Sequence, residues 1–309
     1  MLRRRNILIS AAAVIVAVAL AVSLKHAEGN SSTPAVIQTP AALALHTSRQ
    51  SPLDLEIGGD LPGLPPGSTR YITRKDLLAL PQTAYTVNDD PNFTKPTKVS
   101  GVSFAELVAR LAARPDSDMA VAICSDKYRA NYPRAYLGAQ QPLLVLEIDG
   151  QPPAGWPKDA ETHTMSIGPY LISHPKFAPG PGTAGGGDES QIPWGVVRID
   201  LRDEKQVFAA IEPRGARAND APVQAGYKIA RQSCFRCHNS GKEGGEKSGV
   251  PWPVLATLAS AAPEHFGAYV KNPQAQDPQA QMPGNPGYSD ETLRDLTAYF
   301  QTFVPAAKQ

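Results

Sequence analysis

The chain has 309 residues, with 30 lysines and arginines against 29 aspartates and glutamates and a formal net charge of +1. That length suggests about two domains of ordinary size, and the even charge points to neither nucleic acid nor an extended acidic partner. Thirty prolines and 25 glycines predict short elements and many loops.

Arg3, Arg4 and Arg5 precede an uncharged run from Ile7 to Leu24. As a helix that run would span about 27 Å, enough to cross a bilayer. The arginines would stay on the cytoplasmic side. Segment 1–24 reads either as an uncleaved membrane anchor or as a signal peptide with Ala19-Leu20-Ala21 at its cleavage site. Both readings export the rest and place it on the periplasmic side of the cytoplasmic membrane. Residues 25–50, with "GNSSTPAVIQTP", lack a strong period and read as a linker.

Mixed character begins at about residue 51. "TRKDLLAL" predicts a short helix, with Thr73 as N-cap and Pro81 as its stop. "SFAELVARLAA" predicts a second. Ser103 and Glu106 have the spacing of a capping box, and Phe104, Leu107, Val108 and Leu111 share one face. Strand patterns follow. "MAVAIC" (119–124), "PLLVLEID" (142–149) and "WGVVRIDL" (194–201) are short, apolar or β-branched, and bounded by turn residues. "QVFAAIEP" (206–213) reads as another. "APGPGTAGGGDES" has the composition of a flexible surface loop. The fold class is α+β: a mixed domain over 51–215, then an all-α domain over 216–309.

The second domain opens with a helix capped by Asp220 that runs through Val223, Tyr227 and Ala230 to the cysteines. "PVLATLASAA" and "PEHFGAYVKN" predict two more helices. "SDETLRDLTAYFQTF" predicts the last. Ser289 is its cap, Asp290 and Glu291 suit its positive end, and Leu293, Leu296, Tyr299, Phe300 and Phe303 form its apolar face.

The first of these helices runs into "SCFRCHNSG". C-x-x-C spacing suits a redox dithiol, half of a zinc site or covalent heme attachment. Zinc would need two more ligands at short spacing, and the other cysteine, Cys124, lies in the first domain. A thioredoxin-type dithiol would follow a strand in a βαβ unit, whereas this pair ends a helix. His238, directly after Cys237, selects heme. Cys234 and Cys237 would form the thioethers, and His238 would give Nε2 to iron. Downstream there is one methionine, Met282, and one histidine, His265. Met282 lies in a Pro/Gly-rich loop suited to fold over a heme, while His265 opens a helix, where a histidine is usually solvated. The expected metal ligands are therefore His238 and Met282, and the expected cofactor is one covalent heme c.

Residues 219–309 resemble a class I cytochrome c domain. The matching pieces are a first helix carrying Gly226 and Tyr227, then "CFRCH", "PVL", "MPGNP" and a terminal helix with "LTAYF". The resemblance implies that the first and last helices cross, with Gly226 against Tyr299 or Phe300. It implies that a proline carbonyl accepts the proximal histidine Nδ1–H, with Pro253 the expected acceptor and Pro251 the next. It also implies heme attachment outside the cytoplasm. His/Met ligation implies a raised potential and no open site on iron, hence one-electron transfer. The segment carries as many basic as acidic residues, so no strongly steered docking is expected.

Residues 70–201 resemble the sulfite-oxidase-type molybdopterin domain, through "YITRKDLLALPQ", "VSGVSFAELVARL", "AICSDKY", "PLLVLEIDGQPP", "IGPYLISHP" and "IPWGVVRIDL". The resemblance implies a cysteine ligand to molybdenum between "LPQ" and "VSGVSF". This chain has "TAYTVNDDPNFTKPTK" there, which offers Asp89 and Asp90 but no thiol. Cys124 is expected to be a core residue, and His163 and His174 to be structural. The expectation is this fold without the molybdenum chemistry.

The sequence thus predicts an exported, membrane-anchored, monoheme cytochrome that carries electrons between redox protein partners. The alternatives are a molybdopterin-dependent oxidoreductase with a fused heme and a heme-based small-ligand sensor.

Overall fold

The computed structural model describes residues 43–304, apart from 112–115, 161–162 and 183–186. The expected export segment and most of the expected linker lie outside the described residues. The end of that linker is already folded. Leu43 N donates to the Arg110 carbonyl (3.0 Å), and His46 exchanges backbone bonds with Tyr71 (2.8 and 2.9 Å). Leu43 and Leu45 pack on the first core, so the N-terminal domain includes residues 43–50.

Nine strands form one sheet: β1 (Leu55–Gly59), β2 (Arg70–Ile72), β3 (Thr83–Val87), β4 (Thr97–Ser103), β5 (Met119–Cys124), β6 (Arg129–Pro133), β7 (Leu143–Ile148), β8 (Tyr170–Ser173) and β9 (Trp194–Arg202). Their order is β2-β1-β9-β8-β7-β4-β3, with β5 and β6 branching from β9. One edge of β9 carries β5, antiparallel. The other is shared by β8 near Trp194 and Val196 and, in parallel, by β1 along Arg198 to Leu201.

The helices of this domain are α1 (Arg74–Leu78), α2 (Phe104–Arg110), α3 (Arg134–Gln140) and α4 (Glu204–Ala209). Thr73 and Ser103 cap α1 and α2, each accepting from the amide three residues on. The segment read as a fourth strand, 206–213, is instead α4 and its exit. Asp203 caps it by accepting from Gln206 N (2.9 Å). Val207, Phe208 and Ile211 are buried at helical spacing, which overrides the apolar strand-like run.

The C-terminal helices are α5 (Ala221–Gln232), α6 (Trp252–Ala261), α7 (Pro263–Lys271), α8 (Pro273–Gln276) and α9 (Asp290–Gln301). Ser289 caps α9 as expected, accepting from Thr292 N (3.1 Å). Asp220 flanks α5 but makes no side-chain cap; it accepts from Arg217 Nε at 3.0 Å instead. α5 and α9 cross at Gly226. A Cβ there would lie 2.1 Å from the Asp295 carbonyl oxygen and 2.8 Å from Tyr299 Cβ, so only glycine allows this approach.

β5 explains how the halves join. Ala120, Ala122 and Cys124 face a core built with α1, α2, α3 and β9. Met119, Val121 and Ile123 face a second core made with Val207, Phe208, Ile211 and the C-terminal helices. Period-two alternation thus delivers apolar residues to two cores, and the strand reads as an unbroken apolar run. The cytochrome-like half is therefore no tethered module, and the described residues form one compact unit.

Candidate heme site

α5 ends at Gln232, and Cys234–Arg236 continue as a 3-10 turn. The amides of Cys237 and His238 both donate back to the Cys234 carbonyl (3.1 and 3.0 Å). This winding brings the two thiols and the imidazole together. Both thiols are half-buried and unbonded. Burial pushes the Cys234 thiol up to about 12 and raises Cys237 too, so both are protonated at neutral pH. The loop that follows lies close over the motif. A Cβ at Gly245 would fall 1.7 Å from the Arg236 carbonyl oxygen.

His238 is 8% exposed. Its Nδ1 lies 2.7 Å from the Val250 carbonyl and 3.0 Å from Ser248 Oγ. A bond from Nδ1–H to that carbonyl fixes the tautomer and leaves a lone pair on Nε2, which makes no hydrogen bond among the described residues. Burial lowers the ring's basicity, which favours the neutral form that binds metal.

The acceptor is Val250 rather than Pro253 or Pro251. Pro253 already belongs to α6, where its carbonyl accepts from Thr257 Oγ1 (2.9 Å). The Pro251 carbonyl accepts from Val254 N (3.0 Å) as that helix begins. The turn before the helix is what reaches the ring.

Met282 is half-buried, lies between α8 and α9, and packs against the C-terminal core that Cys234 also borders. Its loop is tied down. Gln274 Nε2 donates to the Met282 carbonyl (3.0 Å), and Asn285 Nδ2 donates to the Val270 carbonyl (3.0 Å). Tyr288 is buried and donates to Ser233 Oγ (3.2 Å), beside Cys234. His265 is exposed on α7. Two unbonded thiols, an imidazole engaged at Nδ1 and a thioether on an anchored loop form a donor set that fits a covalent heme.

The N-terminal domain grips this motif through residues that local patterns could not reveal. Arg236 donates to the Tyr128 hydroxyl (3.2 Å) and to the Glu189 carboxylate. Glu246 N donates to the Lys127 carbonyl (3.1 Å), and Lys247 Nζ lies 2.7 Å from Asp126 Oδ2. The turn between β5 and β6 thus sits under the motif's loop. The segment expected to be a flexible surface loop is also engaged where it is described. Gln232 bonds Asp188 (2.7 Å) and Glu189 N (3.1 Å), and Gly182 lies against the Tyr288 ring.

Away from the motif, Cys124 is 4% exposed in the first core, as expected. His174 is 2% exposed, with Nε2 2.9 Å from the Tyr136 hydroxyl, and burial lowers it to about 4. His163 is exposed. Asp90 is buried and accepts from Ser173 Oγ (2.8 Å) and Asn92 N (2.9 Å). Among the described residues, no group of three or more His, Cys, Asp or Glu is placed to hold a metal ion. Nor is any helix among them long and apolar enough to cross a membrane.

Residues 221–300 match the protein family described as cytochrome C oxidase, cbb3-type, subunit III. This part of the chain is a cytochrome c domain. The match runs from the first turn of α5 into α9, the helix pair that closes on Gly226, and it implies a covalently bound heme c and electron transfer. Among solved structures, the chain is similar to the sulfane dehydrogenase SoxCD from Paracoccus pantotrophus, at 15% identity with a TM-score of 0.32. The likeness covers 56% of this chain and 45% of that one, so the chain spans less than half the length of that relative. No curated protein matches the chain.

Proposed function

We propose that the protein is an exported monoheme c-type cytochrome that passes single electrons between redox protein partners on the periplasmic side of the cytoplasmic membrane. The observation that carries this reading is His238, whose Nδ1 lies against the Val250 carbonyl, directly after two unbonded thiols. Heme c, when bound, supplies the one-electron couple. Cys234 and Cys237 would hold it, and the His238 Nε2 and the Met282 thioether would offer donors to its iron. Ser248 and Val250 keep the ring in place. Trp252, packed on Phe235 and Phe300, seals the core behind the motif. The apolar run after Arg3, Arg4 and Arg5 supports export with a membrane anchor.

The test is a denaturing gel stained for heme peroxidase activity. The wild-type band should keep the stain, and a Cys234→Ala, Cys237→Ala double variant should lose it. A wild-type band without stain would sink the reading.

A further inference from the structure

Arg236 stands between the two cysteines of the motif. Its side chain is only 12% exposed. Nε donates to the Gln232 carbonyl, Nη1 to the Tyr128 hydroxyl at 3.2 Å, and Nη2 to the Glu189 carboxylate. Tyr128 and Glu189 both belong to the N-terminal domain. A permanent positive charge thus sits inside the motif, and its counter-charge comes from the other domain.

Glu189 is itself held in place. Its amide donates to Gln232 Oε1 (3.1 Å), and its carbonyl accepts from the Tyr136 hydroxyl (3.0 Å). Two residues on, Gln191 N donates to the same hydroxyl (2.7 Å). The carboxylate therefore has little freedom to leave the guanidinium.

We propose that the N-terminal domain sets the reduction potential of the heme through this pair, with Arg236 raising it and Glu189 lowering it. The proposal rests on the heme reading given above. Oxidised heme carries one more positive charge than reduced heme. A fixed cation nearby therefore disfavours oxidation, and a fixed carboxylate favours it. Both groups are mostly withdrawn from solvent, so salt screens them little. Their net effect is a difference between opposing fields, and removal of either partner leaves the other unbalanced.

The experiment uses the full-length protein, with heme content read by stain and midpoint potential by spectroelectrochemical titration. Glu189→Gln should shift the potential upward, and Arg236→Gln should shift it downward. The double variant should return close to wild type, and Arg236→Lys, which keeps the charge, should stay close to it. A merely structural role would move both single variants the same way and leave the double variant with them, because each substitution breaks the same pair. Single variants that bind heme and shift together, or do not shift, overturn the proposal. If Arg236→Gln fails to accumulate with heme, Glu189→Gln and Arg236→Lys decide. An upward shift in Glu189→Gln with none in Arg236→Lys supports it, and any other pattern overturns it. Loss of stain from the wild-type protein would instead remove the heme reading, so the two failures are distinguishable.

Discussion

The hydroxyl of Tyr299, buried in α9, donates a 2.6 Å hydrogen bond to the carbonyl of Ile211, just beyond α4. One bond thus ties the last helix of the cytochrome domain to the end of the N-terminal domain, inside a core that both supply. Tyr299→Phe keeps the ring and removes the donor, leaving a buried carbonyl without its partner. The expected loss is about 1–3 kcal/mol. Thermal unfolding followed by circular dichroism should show a lower midpoint and still one transition, because the shared core unfolds as a unit. Two separate transitions in the wild type would contradict the shared core.

Gly226→Ala places a methyl group 2.1 Å from the Asp295 carbonyl oxygen, where backbone faces backbone. The helices must part, and a loss of about 3 kcal/mol is expected. Gly138→Ala is the control. Nothing lies within 4 Å of a Cβ there, in helix α3, so alanine should be neutral or add up to about 1 kcal/mol. Equal midpoints for the two variants would argue against the close crossing.

Met282→Ala should lower the midpoint potential and open the reduced protein to carbon monoxide, whereas His265→Ala should change little. The difference lies in placement: Met282 is half-buried on an anchored loop, and His265 faces solvent. Visible spectra with and without carbon monoxide read the outcome. A spectral switch in the His265 variant alone would reverse the ligand assignment.

Much of this was legible where the signal is local. Caps at Thr73, Ser103 and Ser289 and the apolar face of α9 follow from neighbours within one or two turns. β5 was legible because both its faces are buried. α4 resembles a strand in sequence because Val207, Phe208 and Ile211 sit in an apolar stretch too short for its helical period to stand out, and its start is marked only by the Asp203 cap. The short strands β1, β2, β3, β6 and β8 gave little local pattern, since their partners come from distant chain. The C-x-x-C-H motif was legible from spacing alone. Val250, Tyr128 and Glu189 were not, because their roles depend on how the backbone turns before α6 and on contacts 108 and 47 residues away.

His174 gives a prediction in pH. Burial lowers its pKa from 6.5 to about 4 in the folded protein, so the unfolded chain binds the proton more readily. Its contribution is complete above about pH 6.5 and is lost as pH falls toward 4, by roughly 3 kcal/mol in total. His174→Gln removes that titration. Unfolding midpoints measured from pH 7 to 4 should fall less steeply for the variant than for wild type. Parallel curves would show that His174 is not buried as a neutral ring.

Protein purified from a molybdenum-replete host should contain about one iron per chain and no near-stoichiometric molybdenum or tungsten. Between Thr83 and Lys98 the chain offers no thiol, and Asp90 is already occupied by Ser173 and Asn92. Elemental analysis reads this directly. Molybdenum or tungsten near one per chain would promote the oxidoreductase alternative.

The branched strand β9 has a consequence for the order in which this chain assembles. It joins β1 across a separation of 142 residues, measured at Glu56 and Arg198. A chain that emerges N-terminus first cannot complete this sheet before β9 has emerged. Met119, Val121 and Ile123 then wait longer, for helices that end at Gln301. Closure over such distances is slow, and an uncovered apolar strand face invites association with other partly folded chains. That interval is where a chaperone that meets this protein would act, and it closes when α5 and α9 cross.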